Sequence, residues 1–120
     1  MAKKILVVDD DATGRVLMNS RLAKEGFEVM VAGNGYEGLE QVKRNKPDFI
    51  ILDIEMPEMN GYTFVLELKK IDGCQDIPMA VLTSHKENKA IFARRGVQHY
   101  FVKPVNFDEL IPQIVDLVGK

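Results

Sequence analysis

Five short apolar runs, Ile5–Val8, Val29–Ala32, Phe49–Leu52, Met79–Leu82 and Tyr100–Val102, recur along the chain, and an amphipathic stretch follows each one. No other feature restricts the fold as much. A short run without polar alternation has no solvent face, so it reads as a strand covered on both sides, the pattern of a parallel sheet. Parallel neighbours must be joined by a crossover, and the segments between the runs have helical spacing. Thr13–Glu25 carries Leu17, Met18 and Leu22 and stops at Gly26, a good C-terminal residue. Gly35–Asn45 follows Asn34 as N-cap and carries Leu39 and Val42. Gly35 and Gly38 make that helix weak on propensity.

Gly61–Lys70 presents Phe64, Val65 and Leu68, and Glu87–Arg95 presents Ile91 and Phe92. Phe107–Val118 has the clearest period, with Leu110, Ile111, Ile114, Leu117 and Val118 on one stripe. Asn106 with Glu109 three residues on resembles a capping box. Pro112 falls inside this segment; within the first turn or so it is tolerated, and deeper it kinks the helix. The pattern is (βα)5: an α/β chain with a five-stranded parallel sheet and helices on both faces. Right-handed crossovers leave only a few doubly wound strand orders.

A chain of 120 residues fits one domain, here 1–120, with a core large enough to need no disulfide or metal staple. No repeat, linker or low-complexity tract interrupts it. Sixteen basic against 18 acidic residues give a net charge of -2, which argues against nucleic acid as a direct partner. The lone cysteine, Cys74, has no internal partner and no surrounding motif, which fits a reducing, cytoplasmic compartment. No apolar run approaches the roughly 18 residues that a membrane span requires. The opening residues imitate a signal peptide only superficially, because Asp9-Asp10-Asp11 follows four apolar residues.

In open α/β sheets the functional site lies beyond the carboxyl ends of the strands. Asp9, Asp10 and Asp11 follow the first run, Asp53 ends the third, Thr83 and Ser84 follow the fourth, and Lys103 and Pro104 follow the fifth. The second contributes only Ala32-Gly33. Each of these residues alone has an ordinary explanation. An Asp at a strand end commonly caps a helix, Thr-Ser does the same, and a lysine is commonly a solvated surface residue. Their coincidence at four strand ends points instead to a site for metal and phosphate. Clustered carboxylates raise each other's pKa unless a cation lies among them. An all-oxygen donor set selects a hard ion, Mg²⁺ first. A carboxylate is also a competent nucleophile toward phosphorus, provided that donors and cations stabilise the charge that develops.

Val8-Asp9-Asp10, Pro47-Asp48 leading into Leu52-Asp53, Met56-Pro57, Met59-Asn60-Gly61, Leu82-Thr83-Ser84 and Tyr100 with Lys103-Pro104 together resemble the receiver domains of two-component response regulators. The resemblance covers the whole chain and is to the single-domain chemotaxis type, which implies the flavodoxin-like strand order 2-1-3-4-5. It implies that Asp53 is the phospho-acceptor and that Asp9 and Asp10 are the acidic pair holding Mg²⁺, with Asp10 the more direct ligand. Asp53 and the backbone carbonyl of Glu55 would complete the metal set. Thr83 resembles the switch hydroxyl, Lys103 the lysine that pairs with the phosphoryl group, and Tyr100 the aromatic that moves with Thr83.

The Lys103-Pro104 peptide is often cis in such domains. Asn60 stands where Asp is usual, Gly38 where Ala is common, and Val105 where Phe or Leu is common. Glu55 and His85 occupy positions that tune phosphoryl lifetime, in a direction the residues leave open.

The function implied is that of a signalling domain rather than an enzyme acting on a separate substrate. Asp53 would accept a phosphoryl group from a histidine kinase or phosphotransfer protein. A downstream protein would then read the surface around the fourth helix, fifth strand and fifth helix, where Arg94, Arg95, His99 and Tyr100 lie, although Arg94-Arg95 reads first as a solvated helix end favoured by the dipole. The state implied is a monomer or a phosphorylation-dependent dimer, with no membrane insertion. A receiver-like interaction module that works without phosphorylation is the alternative. A haloacid-dehalogenase-type phosphatase also uses a strand-end Asp with Mg²⁺, but it wants a second Asp two residues on, where this chain has Glu55. The Met1 start and Gly119-Lys120 end favour a standalone regulator over a receiver within a longer protein.

Overall fold

The computed structural model describes residues 2–54, 59, 61–84, 89–94, 97 and 99–119. Five strands, β1 (Lys4–Val8), β2 (Glu28–Ala32), β3 (Phe49–Asp53), β4 (Met79–Thr83) and β5 (His99–Val102), form one sheet in the order β2-β1-β3-β4-β5. All four pairings are parallel. The helices are α1 (Ala12–Lys24), α2 (Gly35–Arg44), α3 (Gly61–Lys69), α4 (Lys89–Arg94) and α5 (Phe107–Val118). This is the doubly wound, flavodoxin-like order.

Side chains alternate between the two faces of each strand, and each face has its own core. Leu6, Val8, Ile50, Leu52 and Val81 face α2 and α3, meeting Val42, Phe64, Val65 and Leu68. Ile5, Val7, Phe49, Ile51 and Leu82 face α1 and α5, meeting Met18, Leu22, Leu110 and Ile114. Arg21 adds a tie between α1 and α5, its guanidinium carbon 4.5 Å from the centre of the Phe107 ring.

Strands β3 and β4 each run one residue further than their apolar runs. Asp53 pairs with Leu82, and Thr83 pairs with Val102. These two polar residues are therefore ladder members, held by the sheet rather than by a loop. Helix α1 begins at Ala12 because Asp11 caps it, its carboxylate accepting the Gly14 N–H at 3.1 Å. It ends where Gly26 takes the left-handed conformation, φ 96°.

The glycines that weaken α2 on propensity are explained by packing. A Cβ on Gly38 would stand 3.0 Å from both Phe64 Cε2 and Val8 Cγ2, and one on Gly35 would meet Met59 Sδ at 2.7 Å. Pro112 is the sixth residue of α5, and the helix continues through it to Val118. Among the described residues no helix is long and apolar enough to cross a membrane.

Candidate functional site

The register of the sheet determines which polar groups share one level. Val8 pairs with Leu52, so Asp9 and Asp53 are the next residues of adjacent strands. The Asp9 N–H continues toward β2 by donating to the Ala32 carbonyl at 3.0 Å. On the other side, the Lys103 N–H donates to the Thr83 carbonyl at 2.8 Å, directly beyond the Thr83–Val102 pair. Lys103 thus leaves β5 two strands from Asp53, roughly 10 Å at normal strand spacing. Its long side chain closes that gap, and Nζ lies 3.0 Å from Asp53 Oδ2. The Lys103-Pro104 peptide is cis.

One carboxylate oxygen from each of Asp9, Asp10 and Asp53 lies within 4.8 Å of the others. Asp53 is 2% exposed and Asp9 8%, whereas Asp10 is exposed. Burial raises the Asp9 carboxyl from its ordinary 3.8 to about 6. The Asp53 carboxylate pushes in the same direction, while the Asp11 N–H and the Lys103 ammonium oppose it. Among the described residues, three acids facing one ammonium leave a surplus of negative charge in a partly dehydrated site. An all-oxygen set with that surplus suits a hard divalent cation such as Mg²⁺, so the residues present fit the group.

Thr83 is 0% exposed at the end of β4, and Tyr100 is half-buried against the core that α2 and α3 cover. Among the residues named from sequence, Asp9, Asp10, Asp53 and Lys103 are therefore brought into one cluster. Glu55, His85 and Arg95 lie outside the described residues, as do Met56, Pro57 and Asn60.

The third acid of the run, Asp11, is a helix cap whose own N–H donates to Asp9 Oδ1 at 2.9 Å. The structure also adds two neighbours to which no motif pointed. Arg15 Nη1 donates to the Asp9 carbonyl at 2.7 Å. Gly14 lines an open cavity of about 270 Å³ with Asp9, Leu17, Lys103, Pro104 and Phe107.

An acidic, metal-competent pocket thus lies at the carboxyl edge of a 2-1-3-4-5 sheet, with a lysine reaching in from the last strand. Residues 5–115 match the model for the response regulator receiver domain, and the chain belongs to that family. It is 36% identical to the chemotaxis protein CheY of Bacillus subtilis, over 95% of this chain and 96% of that one. It is 34% identical to sporulation initiation phosphotransferase F of the same organism, covering 92% and 89%.

Among solved structures, the response regulator TrrA of Thermotoga maritima, in complex with Mg²⁺ and BeF, superposes with a TM-score of 0.85 at 36% identity. That match covers 96% of this chain and 98% of TrrA. Receivers also occur within longer proteins: this chain spans 14% of the sensor histidine kinase CheAY of Helicobacter pylori, at 36% identity. Receiver domains are signalling domains of two-component systems, where they bind Mg²⁺ in an acidic pocket and meet histidine kinases and phosphotransfer proteins.

Proposed function

We propose that the chain is a single receiver domain that takes a phosphoryl group onto Asp53 and signals by a change in its partner-binding surface. The observation that carries this reading is the Asp53–Lys103 pair beside Asp9 and Asp10. The acceptor carboxylate is buried, fixed by the strand ladder, and already touched by the cation that its charged product requires.

In the reaction, an Asp53 carboxylate oxygen attacks phosphorus in a donor phosphohistidine. The P–O bond forms as the P–N bond breaks, and the released electron pair returns to the imidazole nitrogen, which takes up a proton from solvent. Asp9, Asp10, Asp53 and the Glu55 carbonyl would hold Mg²⁺, which when bound neutralises phosphoryl oxygens in transfer reactions of this kind. Lys103 stabilises the same charge from the side of β5.

Phosphorylation brings close to two negative charges to the end of β3. Thr83, level with Val102 and one residue past Leu82, gains a contact with the added phosphoryl oxygens. That differential contact biases the β4–α4 connection and Tyr100, and so the α4–β5–α5 face, on which His99 and Arg94 also lie. The partner classes proposed are a histidine kinase or phosphotransfer protein as donor and a protein target on that face, in the cytoplasm.

Incubation with Mg²⁺ and acetyl phosphate, followed by intact-protein mass spectrometry, tests the reading. One phosphoryl addition is expected in the wild type and none in Asp53→Asn. Absence of any addition, together with no spectral response to fluoroberyllate, would favour an interaction module that works unphosphorylated.

A further inference from the structure

Asp9 is held at every backbone and side-chain group that the described contacts reach. Its N–H is tied to Ala32, its Oδ1 accepts from Asp11, and its carbonyl accepts from Arg15 Nη1 at 2.7 Å. The first two contacts use backbone partners that nearly any sequence supplies. The third needs one particular side chain. Arg15 is the fourth residue of α1, and its side chain reaches back six positions to do this.

The space around that guanidinium is shaped from the β2–α2 turn. A Cβ on Gly33 would stand 3.3 Å from Arg15 Nη1 and 3.6 Å from Glu37 Oε2. Gly33 does not have a positive φ, so its backbone conformation would accept alanine. What the glycine supplies is room. Its N–H donates to Glu37 Oε2 at 3.2 Å.

We propose that Arg15 is a positioning residue for the acidic pair: seated in the gap left by Gly33, it locks the peptide that joins Asp9 to Asp10 and so sets both carboxylates for Mg²⁺. This rests on the reading of Asp9 and Asp10 as metal ligands. The peptide that Arg15 grips is the one that carries both. A ligand pair on a loop has conformational freedom that metal binding must remove, and a guanidinium already seated on its carbonyl removes part of it beforehand. Partners behind metal ligands commonly matter at the level of tenfold or more in affinity.

Magnesium titration of the full chain, followed by calorimetry or amide NMR shifts, reads the effect without any phosphorylation. Arg15→Met should weaken Mg²⁺ binding roughly tenfold, the low end for such partners. Arg15→Lys, which keeps the charge and one donor, should restore most of it. Gly33→Ala should weaken binding in the same direction by roughly threefold, and the double variant should be no worse than Arg15→Met alone, because both act through one contact.

Unchanged or tighter binding in Arg15→Met overturns the proposal, since Arg15 would then act only as a repelling charge or not at all. Additive losses in the double variant also overturn it. Thermal midpoints in EDTA are measured beside each titration. If Arg15→Met is unfolded at the assay temperature, Gly33→Ala decides alone, and unaltered affinity there overturns the proposal. Failure of the wild type to bind Mg²⁺ would instead defeat the metal-site reading, a result distinct from all of these.

Discussion

Lys103 Nζ and Asp53 Oδ2 lie 3.0 Å apart although their residues leave strands that are not neighbours, with β4 between them. The pair spans the part of the carboxyl edge where Thr83 ends β4. It therefore links the acceptor of β3 to the segment that follows β5. The lysine is one-third exposed and the aspartate almost fully buried.

Lys103→Met removes this cation without adding a polar group. Mg²⁺ binding should persist or tighten, because one positive charge has left an acidic site. Phosphorylation by acetyl phosphate should slow by roughly a hundredfold, the scale for losing one charge-stabilising donor. Time-resolved intact-mass measurements at saturating Mg²⁺ give the rate. An unaltered rate would reduce Lys103 to a neutralising counter-ion with no part in transfer.

The raised Asp9 carboxyl fixes the sign of a pH effect in the metal-free protein. Its folded pKa of about 6 lies above the ordinary 3.8, so the native state holds this proton more tightly than the unfolded chain. The stability it contributes is complete below the unfolded value and is lost as pH rises through about 6. In EDTA, wild type should therefore lose stability relative to Asp9→Asn between pH 4 and pH 7. Added Mg²⁺ should reverse that loss in wild type only, because the ion binds the deprotonated carboxylate. Urea midpoints for both proteins across this range check the prediction; parallel curves in EDTA would show that Asp9 does not titrate as described.

Asp10 and Asp11 are adjacent in sequence and should separate cleanly by experiment. Asp11→Ala removes the cap on α1 and should lower stability by about 1 kcal/mol while leaving Mg²⁺ affinity within about threefold. Its N–H, which serves Asp9, survives the substitution. Asp10→Asn should do the opposite, with stability held and Mg²⁺ binding strongly weakened. Urea denaturation paired with metal titration distinguishes the two. A large affinity loss in Asp11→Ala would mean that the cap also shapes the metal site.

These cases show what the chain discloses in one dimension. The five strands are legible because a buried parallel strand must be apolar throughout, and the site is legible because polar groups abruptly follow such runs. Parallel register then brings Asp9 level with Asp53, and a lysine is long enough to cross β4. The division of labour within Asp9-Asp10-Asp11 is not legible: three identical side chains in a row take different roles only once α1 begins at Ala12 and claims Asp11. Arg15 is missed for a related reason, since its partner is a backbone carbonyl, which every residue has. Gly38 reads as a weak-helix residue, and Gly33 as contributing nothing, because propensity is a local property, whereas the atoms that need their space come from α1, α3 and β1.

Gly38 offers a test of that last point. Alanine there should strengthen an isolated α2 by about 1 kcal/mol on propensity. In the folded domain its Cβ would stand 3.0 Å from Phe64 and from Val8, both fully buried. Overpacking of this kind commonly costs about 1–3 kcal/mol, so Gly38→Ala should be net destabilising. Phe64→Leu alone should also destabilise, by leaving a gap where the ring was. Combined, the two changes should recover much of both losses, because the added methyl occupies volume that the ring vacates. A double-mutant cycle by urea denaturation measures this coupling. Strictly additive losses would show that Phe64 does not set the size of residue 38, and that the glycine answers to Val8 alone.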